Sequence, residues 1–206
     1  RGLRLRFASG VLYWRQTNSE DIKRMNFIKT AIDGVYIIEP KVFEDGRGYF
    51  FESYNKAEFE KNGLYYDFVQ DNQSKSSYGV VRGLHFQKGA AAQAKLVRVL
   101  EGTVLDVAVD LRRGSPTFGQ HVAVELSAEN QRMLMIPRGF GHGFSVLSET
   151  AVFTYKCDNF YNKAAEGGVR FDDPALGIDW KIDMSKANLS DKDKVLPLLE
   201  EAEICF

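Results

Sequence analysis

The ten residues TVLDVAVDLR, 103–112, alternate between two kinds of side chain. Successive residues of a strand point to opposite sides, so Leu105, Val107, Val109 and Leu111 share one face while Val104, Asp106, Ala108 and Asp110 share the other. The first face belongs to a core. The second sets carboxylates beside small apolar groups and reads as a solvated outer face, although in a barrel the same pattern would line an interior that holds a ligand. Comparable short runs surround it: GVYIIEP (34–40), GYFFESY (48–54), DFVQDNQS (67–74), VVRGLHF (80–86), AKLVRVLEG (94–102), GQHVAVELS (119–127), QRMLMIP (131–137), HGFSVLS (142–148) and AVFTYKCDN (151–159). Short strands that follow one another at this spacing mark an all-β fold, and a double-sheet jelly roll fits better than a parallel nucleotide-binding sheet. Two short peripheral helices are predicted. NKAEFEKNG (55–63) opens on Asn55 as N-cap and closes on Gly63, and LSDKDKVLPLLEEAE (189–203) carries the other.

The chain has 206 residues, 44% of them hydrophobic, with 27 Lys and Arg against 28 Asp and Glu for a net charge of −1. That suits one globular domain, and the charge balance argues against nucleic acid or a membrane as partner. No apolar run approaches the roughly 20 residues that span a bilayer. Cys157 and Cys205 stand far apart, outside any Cys-x-x-Cys spacing, which is neither a disulfide framework nor a zinc site and suits a reducing compartment. Residues 1–24 precede MNFIKT and read as an extension outside the fold, leaving one domain over 25–206.

Only three histidines occur. His121 opens a strand and reads as structural, and His142 lies in the glycine-rich IPRGFGHGFSV, where backbone can approach a ligand closely. His85 is the conspicuous one. It sits with Arg82 and Gln87 inside the apolar run GVVRGLHFQ (79–87), with Lys95 nearby, and burying such groups costs free energy unless they meet partners or substrate. A β-barrel histidine invites a metal, but His85-Phe86-Gln87 lacks a second histidine and no glutamate follows four to six residues on. An imidazole without a metal is suited to moving protons near neutral pH.

The segments PKVFEDGRGYFFESYN, FVQDNQSKSSYGVVRGLHFQ, AKLVRVLEGTVLDVAVDLRRGSPTFG, LSAENQRMLMIPRGFGHGFSVLSE, YKCDNFY and LSDKD closely resemble the dTDP-4-dehydrorhamnose 3,5-epimerases, almost continuously from Met25 to Pro197. The resemblance implies a cupin-type jelly roll without metal or other cofactor, a homodimer in the cytoplasm, acting on dTDP-4-dehydro-6-deoxy-D-glucose. It also implies roles for residues. His85 is the base, oriented by Asp193, with Asp106 as the second candidate for that carboxylate; Lys95 stands near the substrate ketone, and Tyr155 is the proton donor on the opposite face. Arg47, Glu52, Gln70, Asp71, Asn72 and Arg82 match nucleotide-binding positions, Tyr161 matches an aromatic that stacks on thymine, and His142, Glu166 and Lys192 match further substrate contacts.

Rival readings are a mono-epimerase on the same scaffold, a metal-dependent cupin enzyme, and a sugar-nucleotide binding module without catalysis. One geometric difficulty stands out. Arg82 and His85 are three residues apart, which places them on opposite faces of a flat strand, so either a bulge at Gly83 or elements of a partner subunit must bring both to one site.

Overall fold

The computed structural model describes residues 24–206, so all of the 1–24 extension except Arg24 lies outside the described residues. Two antiparallel sheets face each other. The larger is ordered β1 (Met25–Lys29), β2 (Tyr36–Pro40), β10 (Met133–Ile136), β7 (Lys95–Glu101), β12 (Thr150–Cys157) and β5 (Gln70–Ser77). The smaller is ordered β13 (Glu166–Gly168), β6 (Val81–Gln87), β11 (Phe140–Val146), β8 (Thr103–Asp110) and β9 (His121–Ser127). A separate hairpin, β3 (Phe43–Asp45) with β4 (Gly48–Phe50), projects from the body.

Side-chain alternation distributes the apolar residues into three layers. Val97 and Val99 of β7, Val104 and Ala108 of β8, Leu134 and Ile136 of β10, Phe140 and Phe144 of β11 and Phe153 of β12 meet between the sheets. On the outer face of the smaller sheet, Leu105, Val107, Val109 and Leu111 pack against Val169, Phe171, Leu176, Trp180 and Ile204 of the C-terminal segment. Burial of aromatic side chains such as Phe171 contributes about 1.5–3 kcal/mol each to holding that segment on the sheet. On the outer face of the larger sheet, Met133, Met135 and Leu96 receive Phe59 from α1 (Lys56–Lys61). Asn55 caps that helix by accepting from the Ala57 and Glu58 amides.

The carboxylate-bearing face of β8 is therefore not solvated. Asp106 and Asp110 are fully buried, because the opposite sheet covers this side of the strand while the C-terminal segment covers the other. Asp110 holds the following loop through Arg112, Ser115 and Thr117, whose bonds outweigh burial and keep its carboxyl well below the usual range.

Strand β6 carries an extra residue. His142 of β11 pairs with His85 and Phe144 with Arg82, so one β11 residue opposes both Gly83 and Leu84. This bulge restores Arg82 and His85 to the same, inward face, with Val81, Leu84 and Phe86 all on the outer one. Gly83 has φ +128°, and a Cβ there would stand 2.5 Å from Gly143 Cα and 2.8 Å from the His142 carbonyl oxygen. Gly143 is required reciprocally, since its own Cβ would meet the Arg82 carbonyl oxygen at 2.7 Å. The glycine-rich stretch around His142 is consequently a fully buried strand beginning at Phe140, not a loop. The predicted C-terminal helix is shorter than its sequence pattern: α2 covers Asp191–Lys194, one turn capped by Ser190.

Candidate active site

The two sheets part at one end to form a cavity of about 500 Å³, within the range of sites for small ligands. The smaller sheet and its flank supply His85 and Gln87 from β6, Glu166 and Gly167 from β13, and Lys192 from α2. The larger sheet supplies Gln70 and Asn72 from β5, Lys95 from β7 and Tyr155 from β12. His85 and Tyr155 thus face the cavity from opposite sheets.

His85 Nε2 lies 2.5 Å from Asp193 Oδ1, and Asp193 is 2% exposed. Burial pushes the Asp193 carboxyl up, but the His85 bond and charge, the Ser190 contact and the Gly83 amide together bring it below the usual carboxylate range. The bulge that turns His85 inward therefore also presents an N–H to the carboxylate that holds it. Since an ionised Asp193 can only accept, Nε2 carries the proton between them, and in the neutral ring this leaves the lone pair on Nδ1, the tautomer of a general base. Asp106 does not compete for this position. It binds the second interior histidine, with His142 Nε2 2.8 Å from Asp106 Oδ1, and burial depresses the basicity of His142.

Lys95 Nζ stands 5.7 Å from the centre of the Tyr155 ring. Desolvation lowers the Lys95 ammonium below its ordinary range, opposed by Cys157 and Asp106, while burial raises the Tyr155 phenol and keeps it protonated. At the rim the Tyr161 hydroxyl donates to Glu166 at 3.0 Å, and Lys192 pairs with the other Glu166 oxygen at 2.7 Å. The Tyr161 amide donates to Gln70 Oε1 at 2.9 Å, and Gln70 Nε2 in turn donates to Asn72. An imidazole with its carboxylate, a cation and a phenol across a cavity, and a polar rim can remove a proton, stabilise an oxyanion and return a proton.

Five of the substrate-binding positions matched by resemblance lie off this cavity. The strand period sends Asp71 outward between Gln70 and Asn72, where it pairs with Lys156 at 2.9 Å. Arg82 points inward but donates to Ser76 Oγ at 3.1 Å, and His142 lies behind the site on Asp106. Arg47 stands at the β3–β4 turn with its side chain 90% exposed and pairs with Asp45, while Glu52 pairs with Arg24. Sequence reasoning assigned no role to Gln87, Gln93, Phe86, Phe160 or Gly167, all of which line the cavity. Gln87 had a signal, since it is two residues beyond His85 and so shares its face; its Oε1 accepts from the Asn162 amide and anchors the loop bearing Phe160 and Tyr161.

Jelly roll and site together define a cupin-type isomerase. The sequence profile of the dTDP-4-dehydrorhamnose 3,5-epimerases matches residues 29–201. The epimerase of that name from Salmonella typhimurium is 56% identical over 179 residues, covering 86% of this chain and 97% of its own. The crystal structure of the Elizabethkingia anophelis dTDP-4-dehydrorhamnose 3,5-epimerase superposes with TM-score 0.84 at 61% identity, covering 86% of this chain and 98% of that one. A Legionella pneumophila dTDP-6-deoxy-D-glucose-3,5-epimerase, solved in complex with dTDP-4-keto-L-rhamnose, superposes with TM-score 0.83 at 50% identity, over 86% and 94% of the two chains. The chain belongs to the dTDP-4-dehydrorhamnose 3,5-epimerase family.

Replacing Asp193 with Asn removes the anion while keeping the shape. The amide can donate to Nε2 and stabilise the wrong tautomer, so kcat is expected to fall by about 10²–10⁴-fold with the fold retained. Steady-state kinetics alongside circular dichroism checks this, and a variant within threefold of the wild type contradicts the orienting role.

Proposed function

We propose that this chain inverts C3 and C5 of dTDP-4-dehydro-6-deoxy-D-glucose to give dTDP-4-dehydro-L-rhamnose, in the route to dTDP-L-rhamnose. The observation that carries the reading is the placement of His85, locked to Asp193, on one wall of the cavity and Tyr155 with Lys95 on the other. His85 Nδ1 takes the proton from a carbon flanking the ketone. The electron pair of that C–H bond moves into the carbonyl, and the enolate oxygen that results is stabilised by the Lys95 ammonium. The Tyr155 hydroxyl then gives its proton to the same carbon from the other face, leaving phenolate and imidazolium to exchange with solvent. The sequence uses acid, base and cation from this chain alone, in keeping with the reading that no cofactor is required. The rim of Gln70, Asn72, Tyr161, Glu166 and Lys192 is assigned to the nucleotide and its phosphates. A nucleotide-sugar substrate supports a cytoplasmic setting. Among the described residues no helix is long and apolar enough to cross a membrane.

The exposed hairpin supports a homodimer. Phe43, Tyr49 and Phe50 are 44%, 63% and 66% exposed beside Arg47, and both Arg47 and Glu52 match nucleotide-binding positions while lying off their own cavity. Docking this hairpin against a second copy covers the aromatic patch and brings those two side chains to the copy's cavity. Sedimentation at micromolar concentration is expected to give a dimer; a fully active monomer contradicts the assembly.

Incubating the wild type with the 4-keto sugar nucleotide in deuterated water is expected to place deuterium at both C3 and C5 with inversion at each, followed by NMR. Exchange at a single carbon reduces the activity to mono-epimerisation. In His85→Asn the exchange is expected to fall by at least about 10²-fold, and unchanged exchange removes His85 from the role of base.

A further inference from the structure

We propose that Asp106 is a positioning residue for the reaction, its buried carboxylate being the counter-charge that keeps Lys95 cationic inside the cavity wall. This rests on the epimerisation proposed above and extends it to a residue that does not touch the substrate. Among the described residues, Asp106 Oδ2 is the only buried side-chain oxygen or nitrogen without a hydrogen-bond partner. A fully buried carboxylate with a bare oxygen calls for a cation.

His142 does not supply it. The imidazole is held neutral by burial, so Nε2–H donates to Asp106 Oδ1 as a hydrogen bond and leaves the negative charge uncompensated. Strand parity turns Lys95 toward the same interior, because Val97 and Val99 of β7 and Val104 and Ala108 of β8 all enter the layer between the sheets. Among the described residues Lys95 Nζ makes no hydrogen bond, and it stands over the Tyr155 ring.

The titratable groups acting on or facing Lys95 come from four strands: Asp106 from β8, Cys157 and Tyr155 from β12, His142 from β11 and, across the cavity, His85 from β6. Burial pushes the Cys157 thiol up to about 11 and raises the Tyr155 phenol, so both are neutral near pH 7, as is His142. Asp106 is the one carboxylate of the set. Lys95 must be an ammonium to stabilise an enolate oxygen, and desolvation works against that charge while Asp106 works for it. The mechanism needs this pairing because the lysine's usefulness ends where its proton is lost.

The test compares wild type, Asp106→Asn and His142→Gln by pH-dependent acetylation of Lys95 with acetic anhydride, read by peptide mass spectrometry, together with the pH profile of kcat. In Asp106→Asn the Lys95 midpoint is expected to fall by roughly one pH unit or more. Its kcat on the alkaline side is expected to drop about tenfold and to recover on acidification, with KM within about twofold of the wild type. In His142→Gln the midpoint is expected to hold or rise, because Asp106 keeps its charge. An unmoved midpoint in Asp106→Asn, or an equal fall in both variants, overturns the proposal. Should Asp106→Asn fail to fold, His142→Gln decides alone, a fallen midpoint counting against the pairing. A wild type whose Lys95 titrates as described but which exchanges no solvent hydrogen into the sugar sinks the epimerisation reading and leaves the pairing standing.

Discussion

One extra residue in strand β6 determines what the cavity contains. Without the bulge at Gly83 and Leu84, a two-residue period sends His85 and Arg82 to opposite faces, and one of them into the apolar layer under the C-terminal segment. The bulge is held by close packing, since Gly83 and Gly143 approach each other too tightly for any side chain at either position. The same irregularity presents the Gly83 amide to Asp193, so the turn of backbone that aims the imidazole also helps ionise the carboxylate that orients it.

From that constraint follows a division of labour between the sheets. The smaller sheet carries the imidazole and, beside it, the carboxylate from α2, which belongs to the C-terminal segment packed across the sheet's outer face. The larger sheet carries the ammonium and the phenol. Each group is kept in its useful protonation state by its surroundings: Asp193 ionised by donors that outweigh burial, Tyr155 protonated because burial disfavours the phenolate. On the proposed mechanism, a substrate ring between the two walls would meet base and acid on opposite sides, an arrangement that would convert proton exchange into inversion.

Much of the fold was legible because its period is simple. The runs that became β7, β8, β9 and β12 alternate enough to be read as strands from their side chains, and β10, MLMI, is a short continuous apolar run bounded by polar residues and a proline. Strands β3 and β13, three residues each, offer too few positions for a period to show, and β1 was passed over as the start of the chain. Alternation revealed that Asp106 and Asp110 share a face but not what covers it, which depends on residues of the facing sheet far along the chain. Glycines around His142 read as loop signals, whereas they serve close strand packing there. Within the site, His85 stood out as a polar residue in an apolar strand, while Asp193, Tyr155 and Lys95 became visible through family resemblance, since nothing local distinguishes an exposed-looking Asp-Lys-Asp turn or a strand tyrosine. Arg47 and Glu52 show the limit of matching by motif: a position can correspond while a single subunit leaves it away from the cavity.

The central claim, that removal and return of the proton occur from opposite walls, is tested most directly by Tyr155→Phe incubated with the 4-keto sugar nucleotide in deuterated water. With the base intact and the opposing donor gone, deuterium should enter from the face of His85. Exchange then continues with retained configuration while net inversion falls by at least about 10²-fold. Inversion at the wild-type rate in that variant would contradict the account.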